Sequence, residues 1–170
     1  MSFHHRAFQF EWESFFSELA PLLAQALTQD SVESLRLFVE GNLHHCSSPY
    51  DGEPLDADWL SSMEVGDIQE YADFALTKYY EPANDFGVGS VWQELTDSLV
   101  PRQRKALLGE PFGPASQLFD PGRQGSYFQT PLEIKQSIQS LANSGRTELA
   151  AFHKSLLSVA SNGKGLYVTF

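Results

Sequence analysis

The residues of this chain whose types could do chemistry fall into three sets. The first is His4-His5, His44-His45 with Cys46 directly after it, and His153 standing apart. Imidazole and thiolate are zinc ligands, but adjacent side chains on a helix diverge by about 100°. His44 and His45 therefore do not converge on one ion. No His-Glu-x-x-His or Cys-x-x-Cys spacing is present, so no metal is expected, and the histidines read as surface and helix-end residues. Nothing local supports Cys46 as a nucleophile with His153 as its base. The second set is the loop Phe119-Asp120-Pro121-Gly122-Arg123-Gln124-Gly125-Ser126-Tyr127. Pro121-Gly122 suits a type II turn. Arg123 supplies a guanidinium fork, and a helix starting near Thr130 points its amides back at the loop, so Asp120, Arg123, Ser126 and Tyr127 could hold an anion or a carboxylate. Equally, these residues suit a loop packed by Phe119, Tyr127 and Phe128, with Asp120 paired to Arg123. The third set is acidic: Asp51, Glu53, Asp56 and Asp58 at one loop-helix junction, then Glu64, Asp67, Glu70 and Asp73 around the next helix start. Glu70 and Asp73, three apart, share a helix face.

Signatures of common catalysis are missing. Gly163-Lys164-Gly165 lacks the rest of a phosphate-binding loop, Trp92 stands where a dinucleotide fingerprint needs its third glycine, and there is no Gly-x-Ser-x-Gly. Acid pairs such as Glu11 with Glu13, or Asp56 with Asp58, are two apart and diverge on a helix. No catalytic residue and no cofactor is assigned.

Charge narrows the partners. The net charge of the 170 residues is −11. Residues 1–100 carry 18 Asp and Glu against three basic residues, Arg6, Arg36 and Lys78; residues 101–170 carry four acids against eight Lys and Arg. Such a chain repels nucleic acid and anionic membranes and attracts a basic protein. The acidity also serves solubility. One cysteine allows no intrachain disulfide, no apolar run approaches a membrane span, and the weak basic start argues against a signal peptide, so the expected address is the cytoplasm.

The expected scaffold is α+β: one predominantly helical domain over 1–170 with a small sheet that includes the C-terminal strand. From Phe8 to Leu27 the apolar residues recur at steps of three and four, which predicts one amphipathic helix, kinked or split at Pro21. Asp30 or Ser31 is expected to cap the next helix in a box with Glu33, its inner face being Val32, Leu35, Val39 and Leu43. Ser47 to Pro54 reads as a loop, Leu55 to Met63 as a short helical stretch with Trp59 inward, and Asp67 with Glu70 as a capping box. Ser90 is expected to cap a helix carrying Val91, Leu95 and Leu99; Pro101 opens another, which Gly109 ends. Gly109 to Thr130 is a long aperiodic stretch. Thr130-Pro131-Leu132-Glu133 is a strong helix start, with Ile134, Ile138, Leu141 and Ala142 inward. Leu149, Phe152, His153, Leu156, Leu157 and Ala160 mark the last helix, closed by Asn162-Gly163. The stretch 165–170 reads as a strand that must pair with Ser2 to Phe10, or with the 80–90 or 118–128 regions.

Three strings in order resemble the YfbM-like bacterial domain family: Leu55-Asp56-Ala57-Asp58-Trp59, Ala106-Leu107-Leu108-Gly109-Glu110-Pro111-Phe112-Gly113, and Gly125-Ser126-Tyr127-Phe128-Gln129-Thr130-Pro131-Leu132-Glu133-Ile134. The likeness covers roughly residues 50–170, and the Phe-rich helix expected at the start departs from the family's opening strand. The resemblance implies a small cytosolic α+β domain and brings no catalytic residues. Taken together, the residues favour a non-enzymatic acidic binding protein, an immunity-type inhibitor of a basic toxin or nuclease being the most concrete form. A small-ligand binder or enzyme using the 109–130 loop, and a structural or assembly subunit, stand as alternatives.

Overall fold

The computed structural model describes residues 3–170, and the fold is α+β. Three short strands form an antiparallel sheet: β1 (Arg6–Phe10), β2 (Ser126–Gln129) and β3 (Gly165–Thr169), in the order β1-β3-β2. The C-terminal strand is therefore the centre. Arg6 pairs with Thr169 and Phe10 with Gly165 on one side; Ser126 pairs with Thr169 and Gln129 with Leu166 on the other. Two of the expected partners, the 2–10 and 118–128 regions, are both used; Ser2 lies outside the described residues. Every residue of β3 is buried because helices cover both faces of the sheet.

Strand alternation divides the core. Phe8, Phe10, Phe128 and Tyr167 point to one face, where α1 (Trp12–Glu18), α2 (Ala20–Gln29), α3 (Glu33–Gly41) and α4 (Ile68–Leu76) pack. Ala7, Leu166 and Val168 point to the other, toward α5 (Trp92–Thr96), α6 (Pro101–Leu108), α7 (Pro131–Leu141) and α8 (Thr147–Ser161). The acid-rich stretch through α4 thus lies on one face of the sheet, joined there by Phe112 and Phe119, while residues from Phe86 through α6 lie with α7 and α8 on the other.

Both sheet edges are covered, which blocks edge-to-edge pairing. Outside β1, His5 exchanges backbone hydrogen bonds with Gly89, and Phe86 N–H donates to the Ala7 carbonyl. Outside β2, Glu110 and Phe128 exchange a pair at 2.9 and 2.8 Å. The approach is close enough to demand glycine. A Cβ on Gly87 would lie 2.0 Å from the His5 oxygen, and one on Gly109 (φ 107°) 2.3 Å from the Phe128 oxygen.

Several local expectations need correction. The Phe8–Leu27 pattern is a strand followed by two helices: Phe8 and Phe10 alternate in β1, and the chain breaks again at Leu19, with Pro21 in the first turn of α2. The opening is thus a strand. Asp30 does not cap α3; it ends α2 in the left-handed conformation (φ 54°), and neither its side chain nor that of Ser31 accepts a capping hydrogen bond. Ser90 does not cap α5. Within the supposed 109–130 loop, Ser126–Gln129 form β2 and Thr130 caps α7. Ala142 is exposed at the end of α7, and Leu157 is 48% exposed on α8, where Val159 faces inward instead. The Thr130 box is complete: Glu133 N–H donates to Thr130 Oγ1, and Thr130 N–H donates to Glu133 Oε1.

Candidate acidic interaction site

The acidic residues at 51–73 are held by ordinary turn and cap chemistry. Asp51 Oδ1 accepts the Glu53 N–H (3.1 Å) and Asp56 Oδ1 the Asp58 N–H (2.9 Å). Asp67 Oδ1 caps α4 by accepting from Gln69 (3.0 Å) and Glu70 (3.3 Å). Glu70 does not complete the box; its carboxylate accepts the Glu64 N–H at 3.0 Å and so ties the preceding turn to the helix. The 47–54 loop is pinned by a bridge between Ser47 and Pro54 and by Ser47 N–H donating to Thr77 Oγ1 beyond α4.

These anchors bring Asp51, Glu53, Asp56 and Glu70 to one groove of about 300 Å³, walled by Tyr50, Trp59 and Phe74. Tyr50 is 69% exposed and stands edge-on to Phe74 with ring centroids 5.9 Å apart. Burial of its phenol end, then the charges of Glu70, Asp73 and Asp67, push the hydroxyl up to about 12. Asp58, Glu64 and Asp67 stand outside the groove, and Asp73 opens elsewhere.

None of the eight acids forms an ion pair among the described residues: none lies within 4.0 Å of a Lys or Arg nitrogen. The bracketing bases are used by other acids: Arg36 pairs with Glu33 and Glu40, and Lys78 with Glu18. No Lys or Arg stands between Arg36 and Lys78 in the chain.

On the far side of Tyr50 lies a smaller cavity of about 130 Å³, where the start of β1 and the end of β3 meet α4 and the 121–122 turn. Arg6, Asp73, Tyr80 and Thr169 line it. Burial pushes the Asp73 carboxyl up to about 7 against the pull of Arg6, and Glu70 adds to the rise. Arg6 is turned partly away: its guanidinium lies 5.1 Å over the Phe8 ring, and its Nε is 3.8 Å from Asp85. Beside Thr169 the Tyr167 hydroxyl is fully buried and makes no hydrogen bond, although the Ser126 and Thr169 hydroxyls are near. Sequence reasoning missed Arg6, Tyr80, Tyr167 and Thr169, because only the sheet register joins them to Asp73.

The 119–127 loop does not gather its four nominated residues. The positive φ sits at Arg123 (58°), not at Gly122, so the turn is not type II. The Asp120 carboxylate accepts the Gly125 N–H at 2.9 Å rather than pairing with Arg123. Asp120 N–H donates to Gln69 Oε1, which staples the loop to α4. Arg123 is exposed. Ser126 and Tyr127, neighbours in β2, face opposite sides of the sheet: Ser126 is buried against Thr169 (3.3 Å between hydroxyls), and Tyr127 packs with the second core.

The histidines and the cysteine are placed plainly. His5 is not a surface residue; it is wholly buried, stacked on Trp92 (5.2 Å), with Nε2 donating to the Leu107 carbonyl (2.7 Å) and Nδ1 accepting the Val88 N–H (3.2 Å). Burial lowers its pKa, so the ring is neutral. His44 and His45 are exposed in a 3₁₀ turn. Cys46 is buried, and desolvation pushes its thiol up to about 11, which keeps it protonated. Among the described residues no group of three or more His, Cys, Asp or Glu is arranged to hold a metal ion, and no helix is long and apolar enough to cross a membrane. Comparison of the chain with protein-family models, with curated proteins and with solved structures gives no match.

Proposed function

We propose that this protein is a binding protein whose acidic groove receives a basic segment of a protein partner, in the manner of an immunity-type inhibitor that neutralises a cationic toxin or nuclease. The observation that carries the reading is the set of four carboxylates, Asp51, Glu53, Asp56 and Glu70, that share one groove with aromatic walls and have no ion-pair partner among the described residues. Unpaired charges on one face give a long-range field that speeds encounter with an opposite charge. Tyr50, Trp59 and Phe74 add apolar contact and ring faces suited to the stems and heads of Lys and Arg. The loop-based small-ligand reading gains no comparable support, because Ser126 and Tyr127 diverge.

The test is a partner captured by affinity from the native cell extract, with its binding then measured at two ionic strengths. The reading requires a basic partner whose affinity falls at least about tenfold between low and physiological salt. It also requires that D51N, E53Q and D56N together abolish most of the binding, while E33Q, on α3, does not. A neutral or acidic partner, or binding indifferent to both salt and the triple change, contradicts it.

A further inference from the structure

His5 is wholly buried at the start of β1, and three parts of the fold meet on it. Its backbone exchanges hydrogen bonds with Gly89, and its ring ties Val88 on one side to Leu107, at the end of α6, on the other. Residues 85–89 belong to no helix and to none of the three strands, and they are partly or fully exposed. They cover the outer edge of β1 through the His5–Gly89 pair, through Phe86 N–H on the Ala7 carbonyl (2.9 Å), and through Asp85 Oδ1, which accepts the Ala7 and Gly87 N–H groups at 3.0 and 2.8 Å. A short surface segment held by a few such bonds opens locally at less cost than the sheet beneath it.

The partners of the His5 ring fix which nitrogen carries the proton. The Leu107 carbonyl can only accept, so Nε2 is protonated; the Val88 N–H can only donate, so Nδ1 is bare. A second proton goes to Nδ1, where it faces the Val88 N–H donor to donor. The bond to Leu107 survives that step and the bond to Val88 does not. Around the ring stand Trp92 from α5, Phe152 from α8 and Phe170 after β3, with ring centroids 5.2, 5.7 and 5.7 Å away, and none of these side chains titrates. The charged group that acts on the ring is Asp85, whose carboxylate already serves two amides and stands 3.8 Å from Arg6. His4, next in the chain, is exposed.

We infer that His5 is an acid-operated clasp: a second proton on its ring drives Val88 off Nδ1, releases residues 85–89 from β1 and bares that edge of the sheet. A bared edge presents backbone groups of the kind that pair with an added strand. In the released state the ring meets water and regains its ordinary value of 6.5, whereas burial holds it lower in the closed state. Between those two values, each unit of acidification favours release by about tenfold.

The test is hydrogen exchange of the ¹⁵N-labelled full chain from about pH 7.5 to about pH 5, corrected for intrinsic rates. The amides of Phe86, Val88 and Gly89 are expected to exchange faster than those of Tyr167 and Val168 in β3 at every pH. Their protection should be flat above about pH 6.5 and fall by up to about tenfold per pH unit below it. In His5→Gln, whose amide takes up no proton in this range, the fall should be absent; circular dichroism checks that this variant is folded. Independently of any variant, ¹⁵N spectra of the parent at about pH 7.5 should show a bare Nδ1 and a protonated Nε2 on His5. The opposite tautomer overturns the inference. So does protection at 86–89 that stays flat down to about pH 5, a fall that survives His5→Gln, or amides of this segment that open only together with β3.

Discussion

Replacing Asp73 with asparagine tests how far the fold tolerates a desolvated charge. The carboxyl rises from its ordinary 3.8 to about 7 in the folded protein. At about 1.36 kcal/mol per pH unit, the ionised form carries a penalty of about 4 kcal/mol at most. The folded state holds the proton more tightly than the unfolded chain. The stability this gives is therefore full below about pH 3.8 and is lost as pH rises through about 7. Asparagine keeps the shape and removes the charge, but its amide has its own burial cost, which leaves a net gain of about 2 kcal/mol at alkaline pH. Urea denaturation of both proteins at about pH 4 and about pH 8 measures it. The difference between variant and parent is expected to be near zero or slightly unfavourable in acid and favourable in base; a difference independent of pH, or a less stable variant at alkaline pH, refutes the reasoning.

Two further substitutions probe the scaffold. His5→Leu strands the Val88 N–H and the Leu107 carbonyl and is expected to cost about 2–4 kcal/mol by denaturation at neutral pH. Because burial lowers the His5 pKa, its contribution is full above about 6.5 and fades as pH falls below that value, so the cost of the substitution should shrink in acid. Gly109→Ala drives a methyl against the Phe128 carbonyl at a positive φ and is expected to cost at least about 3 kcal/mol, read as a lowered melting temperature; a change within about 0.5 kcal/mol would mean that the β2 edge is not covered as described.

Signals carried by a few adjacent residues were legible in the sequence. Thr130-Pro131-Glu133 holds its whole capping box within four residues, and the Gly165–Thr169 run of aromatic and β-branched side chains declares a strand that needs partners. The opening was not legible, because Phe8, Trp12, Phe15 and Leu19 satisfy a helical period while Phe8 and Phe10 also satisfy the strand period. The decision belongs to β3, more than 150 residues away. His5 carries no local sign of burial; its partners are Val88 and Leu107. The acidic set was visible as composition, since no base separates its members. The groove depends on Glu70 meeting the 51–56 loop, and the Asp73 cavity on Arg6 and Thr169 arriving from the two ends of the chain.

The most direct test of the account is to add a short lysine-rich peptide to the ¹⁵N-labelled protein at low salt and to follow the amide resonances. The account predicts shifts concentrated at residues 48–59 and 70–74, reversed by added salt and abolished by D51N, E53Q and D56N together. Shifts scattered over the acidic residues of α1 and α3, or none at all, would contradict it.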